Sequence, residues 1–359
     1  MALIKLNTRS IPDDAVTPDK VSNNLGRRNM IINGDFQVWQ KGNTITANAE
    51  TTADRWLGYS TNSGVGNPGM IANKGTGTTA IAEYGNYAEV KFVSGDTGIN
   101  YLTFGQRIES LVTRNQLTAG DKVTFSCYIK RKQNAASSIK VHVRYPSGGV
   151  DSYQSGRTLL GAYDTAVATP YTNTFNSLPL NTWVRISGTF DANSAMANRG
   201  CAVFLENGPS DLGVNNGDTI YETTGWQLEK GDTATSYEHR NIAEELASCQ
   251  RYFYSLTNYS TGYICPLWQY NGNPTINGWV KFPTTMRVEP SLIYNTTGQT
   301  NWIVAYGNGV GLSMNTFTLN EQTLDSAVLY NAQANVGQGN AGGFYCASTS
   351  AAIHFDSEI

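Results

Sequence analysis

Between Lys122 and Arg131 the chain reads KVTFSCYIKR, with Val123, Phe125, Cys127 and Ile129 at alternate positions and polar residues between them. Side chains of an extended strand point alternately to opposite faces, so this period of two predicts a strand with one buried face. The alternation recurs in IKVHVRY through Ile139, Val141, Val143 and Tyr145, and in TWVRISGTF through Val184, Ile186 and Phe190. IYETTGWQLEK places Ile220, Trp226 and Leu228 on one side. Gly, Asn and Pro clusters separate these runs, so residues 29–238 are predicted to form a two-sheet β-sandwich, specifically a jelly roll.

The period changes at RNIAEELASCQRYFYSL, where Ile242, Leu246, Cys249, Phe253 and Leu256 recur at spacings of four, three, four and three. That is a helical seam with coiled-coil spacing, assigned to a connecting helix over 239–256. The seam is short enough to leave two options open, packing on a sheet or pairing with other copies. From 257 to 359 short strands return in GWVKF, SLIY, NWIVAY and GGFYCA, a β-rich C-terminal tip domain. Residues 1–28 hold Pro12, Pro18 and too few apolar residues for a core, so they read as an extended segment that gains order only against something else. The expected fold is therefore mainly β, with two β-rich regions joined by one short helix.

Composition narrows the partners. Charged residues make up 15% of the chain, against roughly 25% in ordinary soluble proteins. A net charge of -3 with no concentrated basic patch argues against nucleic acid. No run approaches the roughly 20 apolar residues of a membrane span, and MALIKLNTRSIPDD lacks the apolar core of a secretory signal. Cytoplasmic synthesis without membrane insertion is the expectation. Between Ser260 and Ile353 the charged residues are Lys281, Arg287, Glu289, Glu321 and Asp325. Such a surface can be buried against copies of itself with little charge to desolvate, which points to a symmetric oligomer. Cys127, Cys201, Cys249, Cys265 and Cys346 are widely spaced without a C-x-x-C pair and read as buried free thiols.

Catalytic chemistry finds little support. His142, His239 and His354 are scattered, which excludes the usual zinc spacings, although Asp211 or Asp218 in ENGPSDLGVNNGD offers oxygen ligands for a structural cation. The Gly-rich stretches at Gly64, Gly75 and Gly337 do not sit between a strand and a helix and read as loops. G-x-S-x-G is absent and no acid pair is recognisable, so neither an enzyme nor a cofactor is expected. Aromatics remain. Trp39, Trp56, Trp183 and Trp226 lie in or beside alternating strands and are assigned to the core. Trp268, Tyr270, Trp279 and Trp302 lie in turn-rich, nearly uncharged sequence, where they either fill the tip's core or form a glycan surface; flat rings stack on sugar faces while amides bond the hydroxyls. These four are the candidate ligand-binding residues, with no catalytic or metal-ligating residue assigned.

Three motifs carry a resemblance in the expected order: RNMIINGDFQVWQKG, then ADRW, then WQLEKGDTATSYEHRNIAEELASCQRYF. The stretch from Arg28 to Phe253 resembles bacteriophage and prophage tail fibre proteins built around a carbohydrate-binding-module-like β-sandwich. In that family the first motif opens the sandwich, and the residues matching Gln227 to Arg240 close it before a helix that contains Cys249 to Phe253. The leader LNTRSIPDDAVTPDKV resembles fibre N-termini that dock on the tail or baseplate, and IHFDSEI resembles the closing strand of distal fibre domains. The resemblance implies a virion protein, a homotrimer attached through residues 1–28, with a host-facing tip that binds bacterial surface polysaccharide or lipopolysaccharide. The alternative it leaves open is a collar, adaptor or decoration protein of the virion that binds no receptor.

Overall fold

The computed structural model describes residues 27–42, 44–45, 53–62, 70–76, 81, 84–92, 99–134, 138–153, 165–208, 219–257, 261–269, 275–295, 303–307, 309–314, 316–332, 336–347 and 352–359. Most of the leader, Asp211, Asp218, Tyr270, Trp302 and the loop after Gly64 lie outside these described residues.

The first part of the chain runs β1 (Thr44–Ile45), β2 (Trp56–Asn62), β3 (Met70–Thr76), β4 (Asn86–Phe92), β5 (Ile99–Ile108), α1 (Ser110–Gln116), β6 (Lys122–Arg131), β7 (Ser138–Tyr145), β8 (Thr165–Thr174), β9 (Trp183–Asp191), α2 (Ser194–Arg199), β10 (Cys201–Gly208) and β11 (Thr219–Lys230). These strands make two antiparallel sheets, ordered β1-β3-β4-β11-β6-β9 and β2-β5-β10-β7-β8. Successive strands from β4 to β7, and again from β9 to β11, cross between the sheets, the connectivity of a jelly-roll β-sandwich. The alternating residues lie where period two puts them: Val123, Phe125, Cys127 and Ile129 are buried against Ile139, Val141 and Val143. At the centre Trp56 stacks on Phe104 at 5.1 Å and meets Trp226 edge-on at 4.9 Å. Each such pair adds about 0.5–1.5 kcal/mol beyond the area it buries.

Strand β11 departs from simple alternation. Its register slips at Thr219/Tyr221 and at Thr224/Gln227. At the second slip Gly225 takes φ +63 beneath the Tyr84 ring, leaving no room for a Cβ. The two bulges let Ile220, Tyr221, Trp226 and Leu228 all reach the core.

Two short helices in the sandwich escape the sequence pattern. In α2 the side chain of Asn193 caps the helix by accepting from the Met196 amide at 2.8 Å. The Thr113 hydroxyl of α1 donates to the Ala197 carbonyl at 3.0 Å, tying the two helices together. Tertiary contact rather than periodicity defines them, since each is under three turns long.

The connecting helix is shorter than its apolar spacing suggests. Helix α3 spans Ile242–Gln250, Ile242 is exposed, and Phe253 begins a strand instead of continuing the seam. The buried face is Glu245, Ser248 and Cys249. The cause is Glu245, whose carboxylate accepts the Asn33 amide and faces Arg240 at 3.5 Å, which turns that face inward. Of the two options the sequence leaves open, the helix packs within its own chain, through a face offset from the apolar seam.

The chain then forms β12 (Phe253–Ser255), β13 (Gly262–Trp268), β14 (Ile276–Lys281), β15 (Ser291–Asn295), β16 (Ile303–Gly307), β17 (Val310–Met314), β18 (Thr318–Asn320), β19 (Ser326–Asn331), β20 (Ala341–Cys346) and β21 (Ala352–Asp356). A three-stranded sheet, β12-β21-β15, packs on a seven-stranded one, β17-β16-β20-β13-β14-β19-β18, around Leu267, Ile276, Phe344, Ile353 and Phe355. The IHFDSEI stretch thus supplies a central strand, paired on both sides.

A polar clamp joins the two sandwiches. Arg55, 3% exposed, pairs with Glu358, lies 3.6 Å over the Tyr252 ring and donates to the Arg107 carbonyl at 2.7 Å. Tyr252 donates to Glu109 at 2.6 Å, and Gln40 donates to the Phe253 carbonyl at 2.9 Å. Arg287 of the tip holds the Ser357 and Glu358 carbonyls at 2.8 and 3.0 Å. All five cysteines are buried and free; burial pushes the Cys265 thiol up to about 12.

Candidate functional site

The motifs most conspicuous in the sequence turn out to bind one another. The Asn29 side chain donates to the Trp226 carbonyl at 2.9 Å and accepts from the Leu228 and Ile31 amides at 3.1 and 3.0 Å. Asn33 brackets Val38, accepting its amide at 2.9 Å and donating to its carbonyl at 2.8 Å, while the Trp56 indole donates to the Asn33 carbonyl at 2.9 Å. Glu229 accepts the Thr235 amide at 2.9 Å and the Gln227 amide group at 2.8 Å, and pairs with Arg28 at 3.2 Å. Arg240 reaches back to the Ile31 carbonyl at 3.1 Å. A Cβ at Gly34 would stand 2.3 Å from the Trp226 carbonyl oxygen, so only glycine allows the two motifs to touch. Asp54, raised to about 6 by burial, accepts the Gln40 amide at 2.7 Å. The polar groups of the three motifs serve the fold.

A different surface gathers exposed aromatic rings. Tyr263, Trp268, Trp279 and Tyr306 are 70%, 37%, 45% and 41% exposed. Strand register places all four on the outer face of the seven-stranded sheet. Trp268 pairs with Asn277 on β14, and Trp279 follows Asn277 by two residues, so both indoles point the same way. Tyr306 pairs with Gly343, which also pairs with Pro266, two residues before Trp268. Tyr263 pairs with Tyr345, two residues beyond Gly343. The opposite face of the same strands carries Cys265, Leu267, Ile276 and Val280 into the core.

The face is concave at one place. A groove of about 530 Å³ lies between Tyr263 and Tyr306, with Pro266, Gly342 and Gly343 lining it. Tyr345 stands beside it, its ring 5.3 Å from Tyr263 and 5.7 Å from Tyr306. A Cβ on Gly343 would come within 2.6 Å of the Tyr263 ring, so glycine is what lets the ring lie there. Aromatic rings beside a floor of proline and glycine can stack on a flat, partly apolar ligand.

Of the residues singled out from sequence, Trp268 and Trp279 come together on this face, and Tyr270 and Trp302 lie outside the described residues. Tyr263 and Tyr306 were missed. Tyr306 carried a signal, standing next to the inward Ala305 in IVAYG, whereas alternation in GYICPLW would put Tyr263 on the face of Cys265, and only the register slip between these two residues turns the ring outward. Trp56 and Trp226 are fully buried and Trp39 nearly so. Trp183 is not in the core: it pairs with Lys130 on the outer face of its sheet, edge-on to Tyr87 at 5.9 Å, while its neighbour Val184 packs inward. Among the described residues no three potential metal ligands cluster.

No protein-family model matches the chain, and no curated protein matches it. Among solved structures it is similar to a putative sugar binding protein from Bacteroides thetaiotaomicron VPI-5482, at 16% identity over 57% of this chain and 100% of that one, with a TM-score of 0.32. It is similar to the enzymatically active domain of tailspike protein 4 of bacteriophage CBA120, at 11% identity over 56% of this chain and 21% of that one, with a TM-score of 0.32. A third is the xylan-binding CBM22-1 domain of Paenibacillus barcinonensis Xyn10C, at 13% identity over 53% and 95% of the two chains, with a TM-score of 0.29. At these values the likeness assigns no function.

Proposed function

We propose that this protein is a bacteriophage or prophage tail fibre that binds a glycan on the bacterial surface through the outer face of its tip sheet. The observation that carries the reading is the gathering of Tyr263, Trp268, Trp279 and Tyr306, all exposed, on one face of the sheet, with a groove between the two tyrosines. The fibre assignment rests on the three-motif resemblance, and with it come a homotrimer, docking through residues 1–28 on the tail or baseplate, and residence in the virion after synthesis in the host cytoplasm. Three copies of a weak site gain affinity through effective concentration. The role is binding without catalysis.

The second reading, a collar, adaptor or decoration protein, draws on the same face, since an uncharged aromatic surface also suits burial against another virion protein. One experiment separates them. Fluorescently labelled full chain is applied to a panel of bacterial strains beside a Trp268→Ala/Trp279→Ala variant whose circular dichroism matches. Labelling of particular strains by the wild type, lost in the variant, supports the fibre. Equal labelling by both, or labelling of no strain, removes the glycan role and leaves the structural one. Light scattering gives three times 39.0 kDa if the chain trimerises by itself.

A further inference from the structure

Resting on the reading of the tip face as a glycan site, we infer that its ligand is an uncharged polysaccharide, held by the faces of its sugar rings across the strands rather than by a terminal charged group.

The argument is where the charges stand. From Asn258 to Phe355 the charged residues are Lys281, Arg287, Glu289, Glu321 and Asp325. The fold collects them at one end of the sheet. Lys281 pairs with Ser326 at the last position of β14, whereas the other end of that pairing is Ile276 with Asn331. Arg287 and Glu289 follow β14, and Glu321 and Asp325 lie in the hairpin from β18 to β19. This end is tied down: the Phe282 amide donates to the Asp325 carbonyl at 2.9 Å, the Thr285 hydroxyl donates to the Asp325 carboxylate at 2.7 Å, and Arg287 is turned toward Ser357 and Glu358.

The opposite end carries no charge. Trp268 pairs with Asn277 and Ala341, Gly307 pairs with Val310, and Ile276 pairs with Asn331, with no charged residue among them. Recognising a carboxylate or phosphate calls for a fixed cationic donor, most effectively a guanidinium fork. Among the described residues of the outer face the one cation is Lys281, exposed, at its edge and on a flexible stem. Neutral hydroxyls, in contrast, match the tyrosine hydroxyls of the face, and sugar ring faces match its open aromatic rings.

The face also sets the direction of the chain. Tyr306, Gly343 and Pro266 stand side by side on β16, β20 and β13, with Trp279 on β14 beyond. Three strand spacings of roughly 4.8 Å make that line about 14 Å long, more than one sugar ring wide. A glycan lying in the groove between Tyr263 and Tyr306 would extend across β13 toward Trp279, so both ends of the line contribute to binding.

The test uses polysaccharide released by mild acid from a strain that the full chain labels, split by anion exchange into neutral and acidic fractions. Affinity electrophoresis of the full chain through gels of each fraction gives the readout. Retardation by the neutral fraction is expected, unchanged in about 1 M salt, where the Debye length falls to about 3 Å, and unchanged by Lys281→Ala. Gly343→Ala displaces the exposed Tyr263 ring without touching the core, and a loss of about tenfold is expected, the effect of one aromatic contact. Retardation by the acidic fraction alone, collapse in salt, loss in Lys281→Ala, or no retardation by either fraction overturns the inference. Failure to label any strain overturns the glycan reading itself.

Discussion

In the first sandwich, ionic and amide groups are buried against one another: Lys130 lies against Glu222 beneath the Trp183 ring, Glu229 holds Arg28, and Arg55 is enclosed by Glu358 and Tyr252. In the tip the core is mainly Leu, Ile, Val, Met, Phe, Ala and Cys, and four large aromatic rings stand partly open to solvent on its outer face. Buried polar networks specify one arrangement and leave their members engaged with each other. Exposed aromatics bury less area in the fold and keep ring surface available to a ligand. The contrast teaches that the polar groups of the motif-rich half serve the fold, and that the proposed binding face draws on the half with few motifs.

The strongest way to break this comparison is at the clamp. Glu358→Ala leaves the Arg55 guanidinium buried without its carboxylate, and a loss of about 3–5 kcal/mol is expected in urea unfolding. A loss below about 1 kcal/mol would mean that the two sandwiches do not depend on this pair. The same dependence means that deleting the tip would strip Arg55 of its partner, so point variants of the full chain are the cleaner probe of function.

Trp56→Ala empties the centre of the first core and is expected to cost about 3–5 kcal/mol. Trp279→Ala, on the outer face of the tip, is expected to change stability by no more than about 0.5 kcal/mol. Comparable losses at the two positions would refute the division into scaffold tryptophans and surface tryptophans.

A smaller effect comes from pH. Burial beside Phe253, together with Lys41, holds the His354 imidazole down to about 4. Between pH 6.5 and 4 the unfolded chain takes up the proton first, so stability is lost as pH falls through that window, by about 2 kcal/mol at pH 5. Asp54 acts in the opposite sense, because its carboxyl is raised to about 6 and acidification below that value favours the folded form. Urea titrations of wild type and His354→Gln at pH 7 and pH 5 isolate the histidine. The variant is expected to lose about 2 kcal/mol less on acidification, and equal losses would contradict the assignment.

The sequence made the strand-by-strand core legible because period two is a local property. Val123 to Ile129 and Ile139 to Val143 face inward as their spacing requires. It failed where local pattern yields to a distant partner. The helical spacing through Phe253 and Leu256 was overridden by pairing of Phe253 with Asp356, more than a hundred residues away. Trp183 was placed inside because its strand alternates, yet the inward positions belong to Val184 and Ile186. On the tip, Trp268 and Trp279 stood out as large residues in uncharged turn-rich sequence, whereas Tyr263 and Tyr306 required knowing that β20 lies between their strands. A glycine floor such as Gly343 has meaning only once the ring above it is in place.

The most direct measurement is acrylamide quenching of tryptophan fluorescence in the full chain, with and without the released polysaccharide of a labelled strain. Trp268 and Trp279 are open to the quencher, while Trp39, Trp56 and Trp226 are enclosed. If sugar rings cover the tip face, saturating polysaccharide shields the quenchable emission, and this shielding disappears in Trp268→Phe/Trp279→Phe. Binding that leaves the quenching of the wild type unchanged would place the ligand elsewhere and contradict the central claim.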